Sequence, residues 1–197
     1  MAITSNQRNW AVFFAAAGLT AALAGAYLSI AGTSDESTRF LLRLSARMAF
    51  LVLLLIFVAR PLQQLFATPA TARLLKNRRL LGVAFAGIHT AHLALIIYRV
   101  NQVPDESFNA LENLPGAATY LVIYLMLITS FDAPARAIGH KAWKVLHKVG
   151  LYLLFGVFLQ TQLSRSLDGL AEVNWWLMSL AAVAIVIRLT AFFARRR

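Results

Sequence analysis

Apolar residues in this chain do not alternate with polar ones; they come in long runs separated by short charged or turn-forming stretches. A hydrocarbon core about 30 Å thick is crossed by roughly 20 apolar residues wound as helix. The runs predict six membrane spans, near residues 10–31, 40–59, 80–100, 115–131, 143–163 and 173–193. Backbone in lipid must satisfy its own hydrogen bonds, which favours helices over open strands. The predicted fold is therefore all-α, a six-helix polytopic membrane bundle forming a single transmembrane domain over residues 1–197.

Boundary residues agree with this partition. Pro61 is expected to follow the second span, Pro115 to sit in the first turn of the fourth, and Pro134 to fall in the loop after it. Trp143, Trp175 and Trp176 stand at span ends, where amphipathic rings sit at the head groups. The first span follows Arg8 but is longer than a signal-peptide core, and it is expected to remain as an uncleaved helix. Small residues recur on the first span, from Ala15 to Gly25, and on the third at Gly82, Ala84, Ala86, Gly87 and Ala91. On the first they predict close helix packing; on the third they serve either packing or clearance for a flat macrocycle. No internal repeat, heptad pattern or linker-joined module is visible.

The net charge of +11 resembles a nucleic-acid signal until the charges are placed along the chain. Arg60, Arg73, Lys76, Arg78 and Arg79 lie between the second and third spans; Arg136, Lys141 and Lys144 face one acid, Asp132, between the fourth and fifth; Arg195, Arg196 and Arg197 close the tail. The other loops carry Asp35 and Glu36, then Asp105, Glu106 and Glu112, then Asp168 and Glu172. The positive-inside rule then puts both termini in the cytoplasm. The basic charge is read as topology and contact with membrane lipid, with no nucleic-acid partner. With no cysteine, structural disulfides, thiolate metal sites and covalent c-type haem attachment are excluded.

Histidine is the residue left to explain. His89 and His92 lie inside the third apolar run, and His147 near the start of the fifth. An imidazole in hydrocarbon needs a partner, and neutral histidines on neighbouring helices can supply a b-type haem with axial nitrogens. At about 100° per residue His89 and His92 are roughly 60° apart around their helix and can face one neighbour. Counted from Leu80 at about 1.5 Å per residue, they lie about 14 and 18 Å from the cytoplasmic edge. Arg47, with Arg43 one turn before it, stands inside the second apolar run, where it either pairs with a haem propionate or snorkels to the interface. Lys141, Lys144 and Lys148 near His147 allow the same two roles, and His140 reads as a loop residue. No hydrolase elbow, zincin motif or nucleotide-binding glycine loop is present, and nothing points to FMN or quinone binding.

Three segments, Arg39 to Arg47 (RFLLRLSAR), Asn77 to His92 (NRRLLGVAFAGIHTAH) and Gly139 to Leu151 (GHKAWKVLHKVGL), resemble the ferric-reductase-like transmembrane superfamily. Within it they are most similar to the haem-binding membrane subunit of the periplasmic methionine-sulfoxide reductase system. The resemblance implies a b-type cytochrome of the bacterial inner membrane, carrying one or two haems. It would take electrons from quinol or a cytoplasmic flavin reductase and relay them to a periplasmic oxidoreductase, with no self-contained catalytic site. By position, His92 matches the third-helix ligand and His147 the first ligand of the fifth helix; His89 is an extra histidine. The family's second fifth-helix histidine is replaced by Gln160, a poor axial ligand. The remaining trio allows one haem between His147 and either His89 or His92, or haems with one protein ligand each. Rival readings are a haem-free structural or assembly partner of a membrane complex and, with less in its favour, a small transporter using His89, His92 and Gln160.

Overall fold

The computed structural model describes residues 4–102, 110–167 and 174–195. All regular structure among them is helical: α1 Ser5–Ala31, α2 Asp35–Phe66, α3 Pro69–Lys76, α4 Arg78–Gln102, α5 Ala110–Ile128, α6 Asp132–Leu167 and α7 Trp175–Ala194. Among the described residues, α1, α2, α4, α6 and α7 are long and apolar enough to cross a membrane. The apolar part of α5 described in full, Gly116–Ile128, is shorter. The chain is a multi-pass membrane protein. Asp105, Glu106, Asp168, Glu172, Arg196 and Arg197, on which part of the topology argument rests, lie outside the described residues, as does the side chain of Glu112.

Local chemistry explains several helix ends. Thr4 caps α1 and Thr68 caps α3, each in a reciprocal capping box with the residue three positions on, and Ser34 accepts from Ser37 N–H at the start of α2. Gly32 ends α1 with φ 78°, a conformation that favours glycine, and Ala67 ends α2 in the left-handed region. Hydroxyls within the spans return to their own helix: Thr20 donates to Ala16 O, Ser45 to Leu41 O and Thr90 to Ala86 O.

Several boundaries differ from the sequence expectation. α2 does not stop before Pro61 but runs through it to Phe66. Proline has no N–H to give the carbonyl four residues back, and that carbonyl, Phe57 O, is reached instead by Arg188 Nη1 of α7 at 2.7 Å. The basic segment after α2 folds as the short helix α3 rather than as plain loop. Helix α5 begins at Ala110, ahead of Pro115. The expected loop containing Pro134, Arg136, His140, Lys141 and Lys144 is helical, part of α6, interrupted at Gly139 (φ 76°, ψ 159°). Only Thr129, Ser130 and Phe131 separate α5 from α6.

Helix α2 is the hub. Its buried Ala49, Phe50, Leu53, Leu54, Phe57 and Val58 join a core with Val83, Phe85 and Ile88 of α4, Leu154 and Phe155 of α6, and Leu177, Ala181 and Ala184 of α7. Helix α4 also packs along α1, and α5 pairs with α6. A Cβ on Gly87 would stand 2.6 Å from Phe13 O and 3.1 Å from Ala16 Cβ, so this glycine exists to let α1 and α4 touch. The small residue at 87 therefore serves packing, not macrocycle clearance. Outward residues of α1 and α7 are large and apolar, with Leu19 and Val186 each 61% exposed, as a lipid-facing surface requires.

Candidate functional site

The described histidines occupy two levels of the bundle. His89 is buried (6% exposed), and its Nδ1 lies 3.3 Å from Phe85 O, the carbonyl one turn back. A carbonyl only accepts, so Nδ1 carries the proton and the lone pair is on Nε2. His92 is held from across the helix pair: Ser45 Oγ stands 2.8 Å from His92 Nδ1. The Ser45 hydroxyl hydrogen is already spent on Leu41 O at 2.7 Å, so His92 Nδ1–H donates and its lone pair also falls on Nε2. Metal-ligating imidazoles are oriented by such a bond from the other ring nitrogen. The two rings are 5.9 Å apart, as their spacing on one helix predicts.

Aromatic side chains enclose His89. Phe85 lies 4.3 Å from its ring, Phe158 of α6 5.8 Å and Tyr120 of α5 6.0 Å, centroid to centroid. Phe50 of α2 stacks on Phe155 and Phe158 at 6.2 and 5.1 Å. Among the described residues the backbones of α4 and α6 make no extended contact, and rings rather than interlocked small residues lie between them. Tyr124 closes the same wall by donating to Thr90 Oγ1 at 3.3 Å, whereas Tyr120 Oη is buried with no hydrogen-bond partner. Such an orphan hydroxyl costs about 1–3 kcal/mol.

His147 sits elsewhere. Its Nε2 is 3.0 Å from Thr129 Oγ1, and its ring stacks on Trp143 at 4.4 Å; Trp143 Nε1–H in turn donates to Thr129 O at 2.9 Å. Thr129 spends its own hydrogen on Leu125 O at 2.7 Å, so here Nε2 is the protonated nitrogen and it is engaged. The separation from His89 follows from two helices independently. Along α6, His147 is eleven residues before Phe158, about 16 Å, and along α5, Thr129 is nine residues beyond Tyr120, about 14 Å. Two imidazole nitrogens on one metal stand about 4 Å apart. The structure thus brings His89 and His92 together and leaves His147 near the basic end of the bundle, so the one-haem pairing of His147 with either of them does not fit this register. Groups of three or more His, Cys, Asp or Glu side chains that could hold a bare metal ion are absent among the described residues.

The remaining candidates divide similarly. Arg47 is half-buried on α2, one turn from Phe50 and toward the Asp35 end; Arg43 is exposed. Lys141, Lys144 and Lys148 are exposed, and His140 is exposed beside Trp143 at 6.3 Å. Gln160 is exposed as well, about 200° around α6 from the inward Phe158. Sequence reasoning missed Tyr120, Arg188, Ser45 and the partners of His147. Arg188 carried a usable signal, a lone charge inside the last apolar run; its guanidinium also meets Tyr152 Oη at 2.9 Å and lies over the Phe57 and Tyr152 rings at 4.2 and 4.6 Å. A polar knot near His147 was equally unseen. Fully buried Asn9 donates to Ser130 O, Arg79 donates to the same carbonyl and pairs with Asp132 at 2.8 Å, and Ser5 donates to Asp132 at 2.6 Å.

The family model for the ferric reductase like transmembrane component matches residues 45–159, more than half of the chain and the stretch that contains His89, His92 and His147. The chain belongs to the ferric-reductase-like transmembrane family. Neither the curated proteins nor the solved structures contain a match to it. Family membership makes this ferric-reductase-like chain a membrane protein of the electron-transfer class.

The side chains at the His89 level fit a haem. A neutral imidazole with a fixed Nδ1–H offers Nε2 to iron, flat aromatic walls suit a macrocycle, and an idle hydroxyl awaits an acceptor. At the His147 level the fit requires Thr129 to release Nε2.

Proposed function

We propose that this protein is a b-type haem-carrying electron-transfer subunit of a bacterial inner membrane, of the kind that serves a periplasmic methionine-sulfoxide reductase. It would take electrons from quinol or a cytoplasmic flavin reductase and hand them to a periplasmic oxidoreductase. The single observation that carries this reading is buried His89, its Nδ1 tied to Phe85 O and its ring set among Phe158, Tyr120 and Phe85 inside the family-matched segment. His89 or its neighbour His92 is the axial ligand at this level, and Arg47 supplies countercharge for a propionate. His147 serves a second level nearer the cytoplasm. The proposed arrangement is one domain of six spans with both termini inside. A bound haem would supply one-electron chemistry; the protein's part is to hold Nε2, exclude water and set the local polarity.

Full-length protein purified in detergent after haem-replete expression tests this directly. A reduced-minus-oxidised spectrum with b-type bands and at least one haem per chain is the expected result. Protein that is folded and free of haem under those conditions refutes the proposal. It would favour the second reading, a haem-free assembly partner, for which the engaged Nε2 of His147 and the outward Gln160 are the supporting observations.

A further inference from the structure

We propose that Tyr120 is a haem-facing residue whose hydroxyl donates a hydrogen bond to a carboxylate of the macrocycle, an inference that rests on the haem reading above. Among the described residues Tyr120 Oη is the buried side-chain polar atom left without a partner. One turn along α5, Tyr124 has solved the same problem through Thr90. Thr20, Ser45 and Thr90 return their hydroxyls to their own helix, but a phenol is too long and stiff to reach the carbonyl a turn back. Its partner has to come from another group.

The neighbourhood narrows what that partner is. The Tyr120 ring meets the His89 imidazole at 6.0 Å and 65°, so a residue with an unpartnered hydroxyl neighbours one whose Nδ1 is engaged and whose lone pair is on Nε2. One ligand that answers both must bring a metal for Nε2 and an acceptor for the hydroxyl. Iron cannot lie between the rings, because two metal bonds of about 2 Å each would push them farther apart. Tyr120 therefore stands on the histidine's side of the macrocycle and does not reach the opposite axial position. The rim of a b-type haem carries methyl, vinyl and carboxylate groups, and of these the carboxylate alone accepts a strong, charge-assisted hydrogen bond. Placed there, the phenol offsets carboxylate charge near the iron and raises the reduction potential.

The test uses the full chain in detergent, loaded with haem, and reads the midpoint potential by spectroelectrochemical titration. Tyr120→Phe keeps the ring and removes the donor; it should retain haem stoichiometry and shift the midpoint to lower potential. Wild-type protein reconstituted with haem dimethyl ester, in which neutral ester carbonyls replace the carboxylates, loses the charge-assisted part of the interaction. The Tyr120→Phe shift should then be much smaller in the ester-loaded protein than with haem itself. Tyr124→Phe, a control one turn away, should shift the midpoint less. An unchanged midpoint in Tyr120→Phe with haem still bound overturns this proposal and leaves the haem reading standing. A Tyr120→Phe shift of undiminished size in the ester-loaded protein, or an equal one from Tyr124→Phe, overturns it as well. Wild-type protein that takes up no haem overturns both.

Discussion

Arg188 and Pro61 should be energetically coupled although they are far apart in sequence. Pro61 leaves Phe57 O without its helical donor, and Arg188 Nη1 fills that vacancy at 2.7 Å while Nε reaches Tyr152 Oη at 2.9 Å. Replacing Arg188 with Met keeps a long apolar stem and removes the guanidinium. An unsatisfied buried carbonyl costs about 1–3 kcal/mol, and the two lost ring contacts add about 0.5–2 kcal/mol. Relief of the guanidinium's own desolvation offsets part of this, so Arg188→Met should destabilise by about 2–3 kcal/mol. Pro61→Ala returns an N–H to the position from which a helix ordinarily serves Phe57 O. In that background Arg188→Met should cost about 1–2 kcal/mol less, the difference being the coupling energy of the cycle. Unfolding of the full chain in mixed micelles, titrated with dodecyl sulfate and followed by circular dichroism, gives all four stabilities. An identical Arg188→Met penalty with and without Pro61 would show that the carbonyl is not what the arginine serves.

Other perturbations probe the remaining joints. Gly87→Val should destabilise by about 2 kcal/mol or more, because even a Cβ there would stand 2.6 Å from Phe13 O and force α1 from α4; equal melting temperatures for variant and wild type would contradict that contact. Replacing His89 and His92 together by Ala should abolish haem at their level while His147→Ala leaves that signal in place, since His89 and His147 lie about 14–16 Å apart along the bundle. Loss of one and the same spectral species in both variants would restore the shared-iron arrangement. Asp132→Asn should leave stability nearly unchanged, because its pair with Arg79 is more than a third exposed on both sides; a clear loss in micelle unfolding would mean the knot around Ser130 is cooperative.

The apolar runs were legible because the bilayer imposes a length on every crossing segment, and charge asymmetry between loops needed no tertiary information. Boundaries were harder where a distant side chain overrode a local rule. Pro61 reads as a terminator until Arg188 supplies the missing donor, and Gly139 permits a kink that keeps His140, Lys141 and Lys144 on α6. The shared face of His89 and His92 followed from helical periodicity alone. The level of His147 did not, since it depends on how far α5 and α6 slide against α4, and no local pattern records that register. Counting thirteen residues from His147 singled out Gln160, which the structure turns outward while Phe158 faces His89. Tyr120 gave no warning because a tyrosine in an apolar run is ordinary until its hydroxyl is found to lack a partner.

The vertical spacing of the histidines also has an electrical meaning. A step of about 15 Å along the bundle traverses roughly half of a 30 Å hydrocarbon core. One elementary charge crossing that distance works against, or gains from, about 1 kcal/mol for every 100 mV across the membrane. In the proposed orientation an electron moving from the His147 level toward His89 travels toward the positive side. An energised cell would thus pull reducing equivalents outward through this protein, and collapse of the transmembrane voltage would slow the flow with every side chain still in place.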